Sequence, residues 1–455
     1  MIAPAAPLAY ESRVMKQPPD VVSGWGRLFA PGREVEPDDL AKAPEVLFRG
    51  LARSYGDSSL PPASNPLVVS TVRADRILGF DELTGKLRAE AGLSLLELNR
   101  AFLHRGWFVP VTPGTQFVTL GGMVAADVHG KNHHVEGCFG AHVSRLKMRV
   151  ADGRILECGP DLERELFCAT IGGMGLTGQI LEVEFGMRRI PTAWIWQETE
   201  RVPDVTTYVA KLKEAAEKGW PMTMGWIDCL SQGASMGRGI SMVGRWAEAH
   251  EAPEHFPSEP IKLRMPFQAP EFVLGPLTVR AFNTGFYWKH LQKKKQGLID
   301  PYAFIYPLDF VRDWNLGYGR RGFTQYQCVL PESAGPDVAR RFLEVLTARG
   351  GASFLCVIKD CGPQGAGLLS FPMKGISIAL DIAVRDGTQQ LVDTLNEFVI
   401  AEGGRVYLAK DSFTRKEHFA QMEPRLPAFL EVRRKWDPKL KFRSAQSVRL
   451  FGDPA

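Results

Sequence analysis

The spacing of hydrophobic positions changes often in the first 190 residues, which predicts short strands and helices in close succession. Residues 67–72 form a β-branched run that predicts a buried strand, and residues 80–91 alternate on either side of a turn and predict a hairpin. Ser94 followed by Glu97 predicts a capping box, and the helix that it opens should end near Gly106. This part of the chain therefore mixes both types of element.

A second group of patterns lies between residues 146 and 185. Residues 146–150 and 155–158 flank an Asp-Gly turn and predict another hairpin. Residues 161–170 predict a short helix, and residues 179–185 alternate with the period of a strand. Between them stands a GxGxxG sequence, at Gly173, Gly175 and Gly178. A Rossmann dinucleotide site needs a strand before this motif and a helix after it, so the order here argues against one.

The pattern changes again after about residue 190. Tryptophans, prolines and predicted long loops dominate up to about residue 320. Beyond that point the chain predicts strands and helices in the order strand 323–330, helix 336–349, strand 352–359, strand 375–384, helix 389–402 and strand 404–409. Such a succession favours an antiparallel sheet with helices on one face, and hence the α+β class.

Length and composition bound the fold and exclude some functions. The 455 residues exceed one ordinary core, so two domains are expected, one of which can be interrupted in sequence by the other. Hydrophobic residues make up 45% and charged residues 23%, as in ordinary globular proteins. A net charge of +4, from 55 basic and 51 acidic residues, is too small to indicate nucleic-acid binding, and no basic run alternates with aromatic residues.

The cysteines and the first residues favour a reducing compartment. The seven cysteines are odd in number, irregularly spaced and without a CxxC pair, so neither a disulfide framework nor a zinc site is predicted. The first residues lack the basic start and apolar run of a signal peptide, and no segment has the ~18 apolar residues of a membrane span. The expected location is the cytoplasm.

Three glycine-rich clusters carry the strongest chemical signal: residues 49–56, 113–122 and 172–178. Consecutive backbone N–H groups in such turns can bind anions. Glycines alone could equally mark turns, but three clusters in one domain point to a dinucleotide held without a Rossmann sheet. Shortly after the second cluster, residues 129–134 contain three histidines, a lysine and an asparagine. Groups that bind phosphates thus lie beside groups that can hold or move protons.

These residues resemble the FAD domain of the vanillyl-alcohol-oxidase family. The likeness is carried by residues 49–57, 112–134, 165–178, 323–331, 409–412 and 436–438, and so it covers nearly the whole chain. It implies a two-subdomain FAD-binding domain with an inserted antiparallel-sheet substrate domain. It assigns FAD binding to residues 1–190, with residues 405–455 returning to that domain, and substrate binding to residues 191–404.

Within that family the chain resembles members that oxidise the 2′-hydroxyl of a polyprenylphosphoryl-β-D-ribose to a 2′-keto sugar. The resemblance implies a short-chain reductase as partner, which restores the hydroxyl with inverted stereochemistry and so gives an arabinose donor for cell-wall polymers. Two alternatives stay open. One is a soluble sugar, alditol or aldonolactone oxidase or dehydrogenase of the same fold, and the other is a flavin-binding subunit with no turnover of its own.

The resemblance assigns FAD binding mainly to the three glycine-rich clusters. The residues implied are Arg49, Gly50, Leu51, Ala52, Arg53, Ser54, Tyr55, Gly56, Pro113, Gly114, Thr115, Thr119, Gly121, Gly122, Ala125, Ala126, Val128, His129, Met174, Gly175, Gly178, Ile180 and Tyr407. Many relatives attach FAD covalently through a histidine in an Arg-x-x-Gly-His-Ser motif, and this chain has Arg53 in its place. Because arginine cannot form that bond, non-covalent FAD is expected. Arg53 could instead face phosphate oxygens or form a surface ion pair.

The resemblance places Lys410 and His129 at the catalytic centre. Oxidation of an alcohol needs a group that takes the hydroxyl proton, with a pKa near neutrality. Lys410 could take it if burial beside another cation lowered its pKa, or it could hold the alkoxide as a charged donor. The alternative is a solvated lysine at a strand end with Asp411 as its partner. His129 could equally be a structural hydrogen-bonding residue. The neighbouring His133 and His134 favour a function there, although no standard ligand set for a metal ion accompanies them.

Substrate binding is implied for a further group of polar residues: Tyr55, Lys131, Gln325, Gln327, Lys359 and Ser377. Amides can bind sugar hydroxyls, lysines can bind phosphate, and two glutamines two positions apart on a strand face the same side. Exposure on an edge strand is the alternative for the glutamines. The chain departs from the resembled enzymes at Ala379, where they carry a cysteine that covalent inhibitors attack. Hydride transfer should survive this change, and sensitivity to those inhibitors should not.

A basic segment follows three aromatic residues in the middle of the chain. Lys289, Lys293, Lys294 and Lys295 come after the Phe-Tyr-Trp run at residues 286–288. Aromatic residues beside lysines can dock on an anionic bilayer and admit a lipid phosphate. A solvated basic loop is the alternative. Peripheral membrane contact is therefore a hypothesis at this point.

Overall fold

The computed structural model describes residues 20–259 and 263–455, which form six β-sheets and twelve α-helices. The first residues, for which no signal peptide is predicted, lie outside the described part of the chain. None of the described helices combines the length and the apolar character needed to cross a membrane.

The part of the chain before residue 190 builds four of the sheets. Their strands are β1 (Val21–Ser23), β2 (Phe29–Pro31), β3 (Arg33–Val35), β4 (Leu47–Arg49), β5 (Leu67–Ser70), β6 (Ile77–Asp81), β7 (Lys86–Glu90), β8 (Trp107–Phe108), β9 (Val143–Arg149), β10 (Ile155–Cys158), β11 (Gln179–Gly186) and β12 (Arg188–Arg189). A parallel sheet has the order β3-β5-β4, and an antiparallel sheet has the order β10-β9-β11-β7-β6. Strands β1 and β2 form a small pair, as do β8 and β12.

An antiparallel eight-stranded sheet dominates the rest, in the order β17-β13-β15-β14-β20-β21-β19-β22. The strands of this part are β13 (Ile195–Val202), β14 (Met222–Ile227), β15 (Gly239–Trp246), β16 (Leu263–Arg264), β17 (Lys294–Ile299), β18 (Val311–Arg312), β19 (Phe323–Pro331), β20 (Cys356–Cys361), β21 (Gly375–Ala383) and β22 (Arg405–Val406). Strands β16 and β18 form a separate parallel pair.

Helices lie on both faces of the large sheet, and one face is covered more completely. The twelve helices are α1 (Leu95–Phe102), α2 (Leu120–Ala125), α3 (His133–Glu136), α4 (Arg164–Thr170), α5 (Val205–Glu217), α6 (Pro276–Lys289), α7 (Pro301–Ile305), α8 (Val338–Ala348), α9 (Thr388–Ala401), α10 (Lys416–Met422), α11 (Leu426–Trp436) and α12 (Ala445–Phe451). Helices α5, α8 and α9 pack on one another and on the sheet. Helix α11 packs back on α4, so the end of the chain returns to the part built first. On the other face, Phe286 of α6 packs on Trp226 and Phe304 of α7 packs at Gly244, and the rest of that face borders a cavity.

Most of the predicted elements are confirmed. Both hairpins form, as β6-β7 and β9-β10, and the helix that Ser94 opens ends in a short turn with Gly106 in the left-handed conformation. The GxGxxG sequence lies between helix α4 and strand β11, which confirms that it is not a Rossmann turn. The fold class, α+β with an antiparallel sheet, is also confirmed.

Two strands of the large sheet are shorter than the sequence predicts. The strand expected at 352–359 starts only at Cys356, because the backbone before it is used elsewhere: the carbonyl of Phe354 accepts a hydrogen bond from the indole of Trp226, at 2.8 Å. The strand expected at 404–409 has two residues. After it the chain turns, and the N–H of Lys410 donates to the carbonyl of Tyr407 at 2.9 Å.

Two other expectations need correction. The loops expected between residues 191 and 320 include strands β13, β14, β15 and β17 and helices α5 and α6. Several of the tryptophans lie in these strands and pack against the rest of the sheet, as Trp226 of β14 does. The capping box at Ser94 is only half formed: its hydroxyl accepts from the N–H of Glu97, but the Glu97 carboxylate pairs with Arg100 at 2.9 Å. A reciprocal capping box occurs instead at the start of α12.

Candidate active site

A cavity of about 700 Å³ lies between the glycine-rich loops and the face of the eight-stranded sheet opposite helices α5, α8 and α9. Its walls include residues from all three glycine-rich clusters and from strands β14, β19, β20 and β21. The two halves of the chain therefore meet at one space, which is large enough for a dinucleotide and part of a second ligand.

The three glycine-rich loops pack tightly on one another. A Cβ atom on Gly50 would overlap the side chain of Thr119, so the first loop needs glycine to lie against the second. The third loop is tied to helix α2 by the N–H of Met174, which donates to the carbonyl of Ala125 at 2.8 Å. Backbone from three separate stretches of sequence thus forms one continuous wall of the cavity.

Two arginines in the first loop have different surroundings. Arg49 forms an ion pair with Glu34 and donates to the carbonyl of Ser23 at 3.1 Å, so its side chain is engaged within the protein. The guanidinium of Arg53 lies 4.1 Å from the centre of the Trp25 ring, at the cavity wall. Arg53 is therefore held on an aromatic face beside the cavity.

The cavity wall offers donors that fit a cofactor. The hydroxyls of Ser58 and Ser59 are buried, line the cavity and have no hydrogen-bond partner within residues 20–259 and 263–455. Buried hydroxyls are usually paired, so these two are suited to phosphate or ribose oxygens of a bound dinucleotide. Together with the close-packed glycine loops, they make this end of the cavity a good fit for FAD.

Lys410 lies at the junction between the loops and the sheet. Its Nζ atom is 3.7 Å from the centre of the Tyr55 ring. Burial lowers the pKa of Lys410 to about 7, with the nearby positive charge of Lys359 acting in the same direction and Asp381 opposing it. The carboxylate of Asp411 turns away and pairs with Arg449 at 2.9 Å. The alternative of a solvated Lys410 paired with Asp411 is therefore wrong.

His129 is buried in a cationic cluster. Its Nδ1 atom is in contact with the Nζ atom of Lys359, and its Nε2 atom lies 3.2 Å from the side-chain amide of Gln327. Burial, followed by the positive charge of Lys359, lowers the pKa of His129 well below its usual range. A lysine ammonium and an amide NH₂ are both hydrogen-bond donors, so the neutral ring can accept from only one of them, at the nitrogen that carries no proton. The same amide nitrogen of Gln327 donates to the hydroxyl of Ser377 at 3.2 Å.

Gln325 is oriented by a buried carboxylate. Asp381 accepts a hydrogen bond from the side-chain amide of Gln325 and another from the hydroxyl of Tyr318, both at 2.6 Å. Burial raises the pKa of Asp381 to about 6, so the group is mostly ionised at pH 7. The two glutamines do face the same side of β19, and both are buried at the cavity, so exposure on an edge strand is wrong.

Of the other basic residues near His129 in sequence, one lines the cavity and two lie outside it. Lys131 lines the cavity, and burial followed by the charge of Lys359 lowers its pKa to about 7. Its Nζ atom donates to the carbonyl of Ile305 at 2.7 Å. His133 accepts from the N–H of Gly362 at 2.9 Å, and His134 contacts the carbonyl of Trp220. These two histidines hold backbone outside the cavity, and the described residues contain no cluster suited to a metal ion.

The structure brings almost all of the predicted site residues to the cavity. Every residue assigned above to FAD, substrate or catalysis lines it except Gly56, which packs instead against the backbone of Asp411. Several cavity residues were not predicted: Trp25, Ser58, Ser59, Trp226, Phe282 and Trp314 line it, and Asp381 binds Gln325. Phe286, expected in a membrane-docking run, lines the cavity instead and packs on Trp226. Ser58 and Ser59 are adjacent in sequence and follow the first glycine-rich cluster. No local sequence motif marks the other positions.

Glycine-rich loops that border one cavity with a buried lysine fit a dinucleotide-dependent oxidoreductase, and comparison with known proteins identifies the cofactor as FAD. The FAD binding domain family matches residues 40–159. Decaprenylphosphoryl-β-D-ribose oxidase of Mycolicibacterium smegmatis is 34% identical, over 94% of this chain and 96% of its own. An uncharacterized protein in the mprA 5′ region of Streptomyces coelicolor is 32% identical, over 79% of this chain and 100% of its own. The L-gulonolactone oxidase of Bos taurus is 23% identical, over 94% and 97%.

The chain therefore belongs to the family of FAD-binding oxidases that includes decaprenylphosphoryl-β-D-ribose oxidase. It is an enzyme whose cofactor is FAD. The expectations drawn from the resemblance about family, fold class and cofactor are confirmed.

Proposed function

We propose that this enzyme oxidises the 2′-hydroxyl of a polyprenylphosphoryl-β-D-ribose to the 2′-keto sugar. The name of the Mycolicibacterium relative, similar over nearly the full length of both chains, supports this substrate. The cavity supports it too, because it combines amides suited to sugar hydroxyls with two lysines suited to a phosphate.

The same proposal includes the division of the chain. Residues 1–190 and 405–455 would hold FAD, and residues 191–404 would present the substrate. The separate sheets on the two sides of the cavity support this division. Strand β22, at the start of the returning segment, still pairs with β19 of the large sheet. FAD would be held without a covalent bond, because Arg53 stands where relatives have the linking histidine.

The proposed chemistry removes a hydride from C2′ and a proton from the attached hydroxyl. FAD, when bound, supplies the acceptor for the hydride. Lys410 takes the hydroxyl proton at Nζ, for which its pKa of about 7 is well suited. His129, neutral and fixed by Lys359 and Gln327, positions the sugar. This chain has the residues for both roles.

The substrate contacts follow from the same cavity. Gln325, Gln327, Ser377 and Tyr55 would bind the ribose, and Lys131 and Lys359 would bind the phosphate. The two lysines lie close enough for the charge of one to lower the pKa of the other. A phosphate between them would relieve that repulsion, which explains why two buried cations are placed together.

Two partners belong to the proposal. A 2′-keto sugar is the natural substrate of a reductase that returns the hydroxyl with inverted stereochemistry, so a short-chain reductase would act next. The enzyme would also contact the cytoplasmic face of the membrane peripherally. Leu277 and Leu291, 82% and 86% exposed, and the exposed Trp288 lie on or just beyond α6 beside Lys289 and Lys293. These two lysines are exposed and form no ion pair within the described part of the chain.

The observation that carries the proposal is the position of Lys410, buried against Tyr55 where the FAD-binding loops meet the polar part of the sheet. The test is anaerobic mixing of the purified holoenzyme with farnesylphosphoryl-β-D-ribose, followed by the flavin absorbance. Loss of the oxidised-flavin band is expected, and methyl β-D-riboside and L-gulono-1,4-lactone serve as substrates without phosphate or lipid.

Each alternative has its own outcome. Equal reduction by the sugars without phosphate would contradict the lipid substrate and favour a sugar or lactone oxidase, to which the bovine relative's name corresponds. A flavin that stays oxidised with every alcohol would favour a subunit without turnover.

A further inference from the structure

The polar part of the cavity continues into an apolar part along one face of the eight-stranded sheet. Residues paired across neighbouring strands point to the same face. Ser377 pairs with Lys359, and the pairing of Gly225 with Ile358 sets Met224 beside Lys359. Met224 in turn pairs with Met242. Along this row the side chains change from hydroxyl to ammonium to thioether.

A neighbouring row changes in the same direction. Gln327 pairs with Ala379, Ala379 with Val357, and Val357 with Trp226. Both rows line the cavity, and both are polar at β19 or β21 and apolar at β14. From β21 to β15 there are three strand intervals, about 14 Å at the usual spacing. This distance covers the polar and the apolar part together, and the apolar part begins at β14 in the first row and at Ala379 of β21 in the second.

Aromatic and aliphatic side chains enclose this apolar part. Phe286 of helix α6 lies with its ring 4.8 Å from that of Trp226, and Phe282 of the same helix also lines the cavity. Ala303 and Phe304 of α7 and Ile299 of β17 close the far end. Met242 is half-buried and extends the apolar floor between these walls. We call the space bounded by Met224, Met242, Trp226, Phe282 and Phe286 the methionine groove.

We propose that the methionine groove binds the first isoprene units of the substrate's hydrocarbon chain. The order of chemistry along the sheet matches one type of ligand: hydroxyls at the amides, an anion at Lys359 and Lys131, and hydrocarbon beyond them. A free sugar phosphate would leave the groove empty, and an uncharged lipid would bring no anion to the two neighbouring lysines. This inference rests on the proposed function. It assigns a binding site to the hydrocarbon chain of the substrate, for which the proposed function names none.

The test uses prenyl phosphates without sugar, so that it does not depend on turnover. Calorimetry on the holoenzyme gives the dissociation constants of dimethylallyl phosphate and farnesyl phosphate, which differ by two isoprene units. We expect the longer chain to bind at least about a hundredfold more tightly, because each buried methylene strengthens binding. Inorganic phosphate measures the contribution of the lysines alone.

Substitutions test whether the methionine groove causes the difference between the two dissociation constants. In the double variant Met224→Gln/Met242→Gln, similar in shape but polar, the ratio of the two constants should fall to about tenfold or less. Met373→Gln, at a half-buried methionine outside the cavity, should keep the wild-type ratio. If the double variant does not fold, Val357→Thr tests the neighbouring row with little change in volume.

Equal dissociation constants for the two prenyl phosphates, or a ratio that survives the double substitution, would overturn the inference. Failure of the proposed function looks different. In that case farnesylphosphoryl ribose leaves the flavin oxidised, while the prenyl phosphates still bind according to chain length.

Discussion

The Nζ atom of Lys410 lies 3.7 Å from the centre of the Tyr55 ring. The face of an aromatic ring favours the charged form of a lysine, whereas burial and the neighbouring Lys359 favour the neutral form. With a pKa of about 7, Lys410 exists in both forms near neutral pH. It can therefore accept a proton and release it again in the same pH range.

Replacement of this amine should slow the chemical step. In Lys410→Ala the rate of flavin reduction by farnesylphosphoryl ribose should fall by about 10²–10⁴-fold, the usual contribution of a general base. Stopped-flow absorbance measures it. Lys439→Ala, at an exposed lysine, is the control and should keep the wild-type rate. A Lys410→Ala rate within threefold of wild type would remove Lys410 from the proton transfer.

The pH dependence should follow the charges around Lys410. Below pH 7 the amine is mostly protonated and cannot accept a proton, so the reduction rate should rise as the pH increases through about 7. Lys359→Met removes a positive charge, raises the pKa of Lys410 and should shift this rise to higher pH. Asp381→Asn removes a negative charge and should shift it to lower pH. Reduction rates at saturating substrate between pH 5.5 and pH 9 measure both shifts; shifts in the same direction would contradict the assignment.

Glycine at position 50 should be required for FAD binding. A methyl group there would overlap Thr119 and push the first loop off the second. Gly50→Ala should weaken FAD binding at least about tenfold, since the Ser58 and Ser59 hydroxyls lie close behind this loop. Fluorescence titration of apoprotein with FAD measures the affinity. Gly79→Ala, where a Cβ meets no neighbouring atom, is the matched control.

Arg449 should be important for stability. It binds the carboxylates of Asp57 and Asp411, at 2.7 and 2.9 Å, and so joins the last helix to the first glycine-rich cluster and to the residue after Lys410. Arg449→Gln leaves two buried carboxylates without their cation and should lower the free energy of unfolding by about 3 kcal/mol. Urea unfolding measures the loss. Arg434→Gln, at an exposed arginine of α11, should change it by less than about 0.5 kcal/mol.

The surface around α6 should bind anionic membranes. Leu277→Ser/Leu291→Ser should reduce cosedimentation with vesicles that contain phosphatidylglycerol, because both leucines are almost fully exposed beside unpaired lysines. Leu83→Ser, at a leucine 97% exposed on the β6-β7 hairpin, should have no effect. If the enzyme binds neutral and anionic vesicles equally, or if the Leu83 variant loses as much binding, this surface is not the contact.

Local sequence determined much of the molecule. The spacing of hydrophobic residues predicted most of the strands and helices. Each element buries one face, so its hydrophobic residues recur with the period of that element. The three glycine-rich clusters were recognisable because their chemistry is local: close backbone packing needs glycine. Lys410 was assigned only through the family resemblance. The same local reasoning overvalued His133 and His134, whose neighbours in sequence suggested a function but whose rings hold backbone outside the cavity.

Tertiary structure alone decided which of these groups meet. The approach of Lys410 to Tyr55, and of Lys359 to His129, depends on the pairing of β20 and β21 and on the turn after β22. The lowered pKa of Lys410 likewise arises from burial and from charges distant in sequence. The methionine groove depends on register between strands, since Met224 and Met242 face the cavity only because each strand alternates and the pairs are aligned. Register and burial are properties of the assembled sheet, and no single segment carries them.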